Sequence, residues 1–394
     1  MKLLYATTAC LPTTLAHGLQ IVENCSAFAA AGTGVTLLRA RRRPAPGIAT
    51  GVDPRDYYGV ARDFAIESLP CLEPTWSSRL LQSTAFRLMA ASFGVGLLAR
   101  VRRLGPDGVL YSRDPVPLLF ASFALPPRRL AYEAHQLPRS RQGRWLHRAC
   151  VRRAGLVVAV TERIAAAASA AGARATLVAR DGFRAARYAG LPTRGAARHS
   201  LGLPPDGFIV GYVGQLRTLG MAKGVEQLVD ALGRFRDAPC SLAIVGGSAA
   251  EVEALRRRWQ ELGLASDRLI APGQVPPEQV PLWLAALDVG TIPFPNSPHY
   301  AECASPMKLF EYLAAGLPIV ASDLPALAEV LVDGETALLT PPGDVAALAA
   351  ALRRLREDAA LRATLASGAL RAAGAYTWTA RAQRVIGALQ ALQA

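Results

Sequence analysis

Of the 44 basic residues in this 394-residue chain only three are lysines, Lys2, Lys223 and Lys308, and two of these stand where a phosphate ligand needs charge. Lys308 lies in the stretch Ala304 to Asp323, which carries its own helix punctuation. Ser305 suits an N-cap, Pro306 a first helical residue and Gly316 a left-handed stop, predicting a helix of about three turns before a strand. A helix start concentrates unpaired N–H groups, so the donors between Ser305, Pro306 and Met307, with the helix dipole, make a phosphate site to which Lys308 adds a full charge. Glu311, three residues on, shares a helix face with Lys308 and could meet sugar hydroxyls; the plain alternative is a solvent-facing Lys/Glu pair. Lys223 follows a strand ending at Gly214 and precedes another helix. It can reach the same diphosphate from the opposite side, so that two cations neutralise a leaving nucleoside diphosphate without metal. The plain alternative here is a surface lysine beside a turn glycine. The sequence offers no Asp-x-Asp pair for a divalent metal, and the expectation is no metal and no cofactor.

These groups need strands and helices to position them, and the alternation of short aliphatic runs with longer Ala/Leu/Arg stretches of helical period predicts parallel sheets covered by helices. Strands are expected at Lys2–Thr7, Gly34–Leu38, Ala65–Leu69, Gly108–Ser112, Arg129–Glu133, Leu156–Thr161 and Thr176–Ala179. A second series follows at Phe208–Val213, Ser241–Val245, Arg268–Ala271, Val289–Pro293, Pro318–Ala321 and Ala337–Thr340. Two doubly wound units result, with the Gly/Pro-rich stretch Gly190 to Gly207 read as the linker between them. The domains are expected at 1–195 and 196–378, with 379–394 a helix packing back on the first. Ligands of such sheets bind beyond the carboxyl ends of strands, which is where the lysines stand.

Size and composition agree with two ordered domains: 51% of residues are hydrophobic and 19% charged. The formal net charge of +14 admits nucleic acid, an anionic membrane or a phosphorylated ligand. The arginine clusters carry neither interleaved aromatics nor a nucleic-acid motif, so nucleic acid is not an expected partner. Six scattered cysteines without a C-x-x-C pair fit a reducing compartment. The first residues read as a strand and not a signal peptide, so a cytoplasmic location is expected. The apolar stretch Phe86 to Val101 reads as too short to span a bilayer. With Arg100, Arg102 and Arg103 it could lie on an anionic inner leaflet, the alternative being a core helix.

The strings Gly214-Gln215-Leu216 with Lys223-Gly224-Val225, Ile244-Val245-Gly246-Gly247, Pro272-Gly273-Gln274-Val275 and Ser305-Pro306-Met307-Lys308-Leu309-Phe310-Glu311-Tyr312 through Asp323 resemble the nucleotide-binding half of retaining GT-B glycosyltransferases of family 4. The resemblance covers about Phe208 to Trp378 and implies an α/β fold of two facing Rossmann-like domains with a cleft between them. It assigns Lys223 and Lys308 to the donor diphosphate, Glu311 to ribose hydroxyls, and Gln274 and Val275 to the base. Cys303 stands where the family often has a first glutamate, Glu302 being one residue away. Gln215 replaces a frequent arginine, and Arg217 is taken as its substitute. In the first half, Gly18 resembles the family's glycine loop, and Tyr132-Glu133-Ala134-His135-Gln136-Leu137-Pro138 resembles its Glu-x-His-Asp-Leu-Pro stretch, placing His135 beside the anomeric centre. A histidine after a strand is otherwise read as a packed structural group. The turns Arg113-Asp114-Pro115 and Asp181-Gly182 also match family positions and are read as turn chemistry.

The activity implied is retaining, metal-independent transfer of a sugar from a nucleotide-diphosphate donor to a sugar or lipid-linked acceptor in cell-envelope glycan synthesis, with peripheral contact at the inner face of the membrane. The alternatives are an epimerase or phosphorylase on the same fold, or a non-catalytic sugar-nucleotide-binding subunit.

Overall fold

A computed structural model describes residues 1–74, 79–218, 220–235 and 240–393. The chain divides into two units, one formed by Met1–Asp181 with Trp378–Ala394 and the other by Gly182–Thr377. In the first, β1 (Lys2–Thr7), β2 (Gly34–Arg41), β3 (Ala65–Pro70), β4 (Gly108–Ser112), β5 (Leu130–Ala134), β6 (Leu156–Ala159) and β7 (Thr176–Val178) form one sheet in the order β3-β2-β1-β4-β5-β6-β7. Every pairing in it is parallel. Strands β1, β4, β5 and β6 are buried on both faces almost throughout, which is why they read as unbroken aliphatic runs and not as alternating ones. The order reverses between β1 and β4, so the chain ends leaving those two strands diverge and open a crevice.

The second unit repeats the plan with β8 (Phe208–Val213), a two-residue hairpin of β9 (Arg217–Thr218) and β10 (Met221–Ala222), then β11 (Cys240–Val245), β12 (Leu269–Gly273), β13 (Val289–Ile292), β14 (Ile319–Ser322) and β15 (Leu338–Thr340). Its main sheet runs β12-β11-β8-β13-β14-β15, with the reversal between β8 and β13. Apolar side chains of β8 serve both faces: Ile209 and Val213 pack in one cluster, Phe208, Val210 and Tyr212 in the other. The hairpin was not legible, being two residues long per strand; its loop includes Leu219, outside the described residues.

Two expectations are corrected. The stretch from Gly190 to Gly207 is not a linker: it contains the helix Arg194–Leu201, locked into the second unit by a buried ion pair. The Arg198 guanidinium donates to Asp288 at 2.6 Å and to the carbonyls of Ala286, Pro205 and Gly207, while Asp288 also accepts from the Ile209 N–H at 2.7 Å. An arginine at this spacing satisfies three loop carbonyls, which Gly/Pro content alone does not reveal. The unit boundary accordingly falls after Asp181 and not at 195.

The second correction concerns the apolar helix, which spans Arg79–Val101 and begins seven residues before Phe86. Over Leu81–Val101 it is long and apolar enough to cross a membrane by length and composition. Met89, Phe93, Leu97 and Val101, spaced four apart, are at most 2% exposed and form its inward face. The helix lies against Pro115–Ala121 and β3. Gly94 permits that approach, since a Cβ there would lie 2.7 Å from the Phe120 ring. Leu81, Leu88 and Val95, seven apart, remain exposed on the other face, and Phe86, one turn before Met89, is exposed as well.

Candidate diphosphate site and histidine cluster

In the second unit, β8 ends at Val213 and the chain turns at Gly214, whose φ of +121° only glycine adopts readily. The missing side chain also makes room: a Cβ at Gly214 would lie 3.2 Å from both Cε and Nζ of Lys308. Lys308 is 8% exposed, and its Nζ has no hydrogen-bond partner among the described residues. The ammonium sits 3.4 Å from the centroid of the Tyr212 ring, whose hydroxyl donates to the Gln215 carbonyl at 2.8 Å. Burial drives the Lys308 pKa well below the usual lysine range, Lys223 lowers it further and Glu311 opposes them. A cation–π contact stabilises such a cation by about 2 kcal/mol when desolvated, less than the desolvation of an ammonium ion costs.

Lys223 is held at the end of the small hairpin, its N–H donating to the Leu216 carbonyl at 3.0 Å. Burial lowers its pKa to about 8. The next residue, Gly224, has a φ of +78° and begins the helix Val225–Leu232; any Cβ there would collide with the Pro293 carbonyl at 1.7 Å. The loops after β8 and β13 are thereby pressed together beside Lys223. Two buried lysines, of which Lys223 lowers the charge of Lys308, thus stand together at the switch point of one sheet.

The helix behind Lys308 spans Met307–Ala314, eight residues, with Pro306 as its N-cap and no side-chain cap bond. This corrects the expectation of Ser305 as the cap, Pro306 as the first helical residue and about three turns. Proline at the cap removes one donor, and Leu309 already donates to the Pro306 carbonyl at 2.9 Å, which leaves the N–H groups of Met307 and Lys308 in the first turn. Gly316 has the left-handed φ of +61° expected for its stop position. On the same helix Glu311 is hydrogen-bonded to the hydroxyl of Tyr188, whose pKa is raised well above its usual value by burial and then by that carboxylate. Tyr188 stacks edge-on against Phe183. Neither Tyr188 nor Tyr212 was legible as a site residue, because a tyrosine in an apolar run reads as core.

Arg217 does not stand free for a ligand: it donates to the Gly220 carbonyl at 2.9 Å and lies 3.9 Å from Glu251. Gln274 is exposed just after β12, and Val275 packs at the edge of the core. Cys303 is buried and Glu302 ends the short helix Pro298–Glu302.

In the first unit, Gly18 is not in an open loop but in the first turn of the helix Ala16–Ala30, with its N–H donated to the Leu15 carbonyl at 3.0 Å. Its lack of a side chain admits the Tyr58 hydroxyl, which a Cβ would meet at 2.1 Å. His135 follows β5, with Nε2 3.1 Å from Glu133 Oε1 and 3.3 Å from Gln20 Nε2. Gln20 donates to Asp181 at 2.5 Å and accepts from Arg113. Arg113 and Asp181 therefore do more than turn chemistry, since together they orient the amide next to His135. Glu133 is 1% exposed. Burial would raise its pKa, but Arg381 and His135 outweigh that and hold it well below the usual range. His17 nearby is lowered to about 4 by burial and by Arg113.

Residues 207–358 match the family described as Glycosyl transferases group 1. Over 200 residues the chain is 32% identical to a D-inositol 3-phosphate glycosyltransferase of Thermomonospora curvata, and over 204 residues 33% identical to one of Stackebrandtia nassauensis. Each match covers just under half of this chain and 44% of the relative, so the chain spans less than half the length of these curated relatives. Along its whole length it superposes on sucrose-phosphate synthase from Thermosynechococcus elongatus, covering 100% of this chain and 99% of that one, with a TM-score of 0.76 and 21% identity. Anabaena HepE in complex with UDP gives a TM-score of 0.74 at 20% identity over 99% of this chain and 100% of its own. The fold is GT-B, two Rossmann-like α/β units in one chain. The match to the group 1 glycosyltransferase model, residues 207–358, lies within the second unit.

Proposed function

We propose that the protein is a retaining glycosyltransferase that takes its sugar from a nucleoside diphosphate donor bound by the second unit. The observation that carries this is the Lys308 ammonium, buried without a hydrogen-bond partner and repelled by Lys223, at the mouth of a parallel sheet. A group costly to bury is retained where a ligand of opposite charge completes it. As the glycosidic bond breaks, negative charge grows on the diphosphate. Lys308, Lys223 and the first-turn N–H groups of Met307 and Lys308 stabilise that charge without reorganising. Glu311 is assigned to the ribose hydroxyls, Gln274 and Val275 to the base, and His135 to the reacting centre. HepE, of similar fold, is described in complexes with UDP and UDP-glucose, which makes a UDP-sugar the first donor to try.

With both lysines supplying the charge, turnover is expected to persist in chelator. Restoration of lost activity by magnesium or manganese would refute metal independence. We assign the acceptor, a sugar or a lipid-linked glycan, to the first unit, and its exposed apolar helix face to a cytoplasmic membrane surface. The direct test is a thermal-shift panel of UDP, GDP, ADP and CDP followed by turnover of the matching sugar donor. One nucleotide should stabilise the protein, by about 2.7 kcal/mol at a hundredfold excess over Kd. Lys308→Ala should then lose roughly a hundredfold in turnover, about 3 kcal/mol. Stabilisation by none of the four, or a loss under about threefold, rejects the assignment.

A further inference from the structure

Beneath His135 lies a buried charge pair whose two halves are far apart in sequence. The helix Trp378–Ala391 belongs to the first unit, and its Arg381, 1% exposed, donates to Glu133 Oε1 at 2.5 Å and to Asn24 Oδ1 at 2.5 Å. Glu133 Oε1 also faces His135 Nε2 at 3.1 Å, and Oε2 accepts from the Tyr5 hydroxyl at 2.9 Å. An ionised carboxylate only accepts, so the hydrogen on His135 must sit on Nε2. Gln20 competes for the same nitrogen: its oxygen accepts from Arg113, which turns its nitrogen, a donor, toward Asp181 and, at 3.3 Å, toward His135 Nε2, but the Glu133 carboxylate lies closer at 3.1 Å and carries the charge, so its bond is the stronger and sets the tautomer. Both contacts of the ring use Nε2, leaving Nδ1 as the nitrogen open to a reacting group.

We propose that Glu133 and Arg381 are positioning residues: the C-terminal helix, through Arg381, keeps Glu133 ionised and so fixes His135 as the Nε2–H tautomer with Nδ1 outward. This rests on the assignment of His135 to the reacting centre only for its catalytic consequence; the tautomer itself follows from the Glu133 contact. With Arg381 removed, a carboxylate this deeply buried protonates and can donate, and the histidine loses the acceptor that selects its tautomer.

The test uses the full chain labelled with 15N-histidine. Long-range 1H–15N spectra report the tautomer of His135, assigned by the signal lost in His135→Ala. Wild type should show Nε2–H. Arg381→Met should show mixed tautomers, with kcat for UDP-glucose hydrolysis reduced on the order of a hundredfold and donor KM little changed. Arg381→Lys should recover a substantial part of both. Because Arg381→Met leaves a buried charge alone and can fail to fold, the neutral double variant Glu133→Gln/Arg381→Met serves beside it, and its His135 should also lose the single tautomer. An Nδ1–H tautomer in wild type, or an unchanged Nε2–H pattern in a folded double variant, overturns the proposal. If His135→Ala turns over normally while the tautomer still responds to Arg381, the catalytic assignment fails and the positioning stands. If His135→Ala is inactive while tautomer and kcat ignore Arg381, the reverse holds.

Discussion

Lys308 is a burden to folding that a bound diphosphate would offset. Its charged end is buried over Tyr212 with no acceptor, so the unliganded protein carries a desolvation cost that an apolar side chain of similar length avoids. Lys308→Met should therefore raise the melting temperature of the free protein, by a free energy on the order of 1 kcal/mol, while lowering turnover. A melt showing the variant less stable than wild type would contradict this. The same burial predicts proton uptake. Burial places Lys223 near 8, and burial with Lys223 places Lys308 well below its usual value, whereas a bound diphosphate favours both charged forms and raises both. Affinity for UDP is thus complete below the free-state values and falls as pH rises through them, for Lys223 through about 8. The loss is up to about tenfold per pH unit per lysine until the bound-state value is reached. Calorimetry at pH 8 in two buffers of different ionisation enthalpy should register the proton; identical heats would deny it.

Among the elements, the helix Arg79–Val101 has two apolar faces with different fates. One is consumed by the core through Met89, Phe93, Leu97 and Val101, while Leu81, Phe86, Leu88 and Val95 stay exposed. Of the arginines expected to meet lipid headgroups, Arg100 is already paired with Glu67 at 2.9 Å, leaving Arg102 and Arg103 exposed at the helix end. Binding to anionic vesicles should therefore depend on the exposed apolar residues and on Arg102 and Arg103, with little contribution from Arg100. Phe86→Ser/Val95→Ser should cut cosedimentation at low salt without lowering thermal stability. Equal sedimentation of the variant and wild type would leave this face without a membrane role.

Across the whole molecule, the first unit is discontinuous in sequence, closed by a helix that arrives after the entire second unit. Trp378, Arg381, Ala382, Val385, Ile386 and Leu389 are buried by that arrangement. Truncation before Trp378 should destabilise the first unit severely: the stranded Glu133 alone costs about 3–5 kcal/mol, and lost apolar burial adds to it. The second unit keeps Lys223 and Lys308, so on the proposed function UDP should still protect part of the truncated protein in a thermal melt. A truncated chain that melts like wild type would show the helix to be dispensable.

All thirteen main-sheet strands were legible, the central ones because a parallel strand buried on both faces must be an apolar run, and their expected ends fall within a few residues of those observed. The positions of Lys223, Lys308, Glu311 and His135 beyond strands were legible for the same reason, as strand ends and glycine turns are local features. Sequence could not show that Lys308 lies unpartnered over Tyr212, that Tyr188 holds Glu311, or that Arg217 is already engaged. Nor could it show that Arg198 binds what looked like a linker, or that Arg381 reaches Glu133 across 248 positions. Backbone conformation is decided over a few neighbours, whereas the charge state of a buried group depends on whatever the fold brings beside it. The sequence by itself therefore determined which elements form and where chemistry could stand, and only the tertiary structure decided which of those groups are free to act.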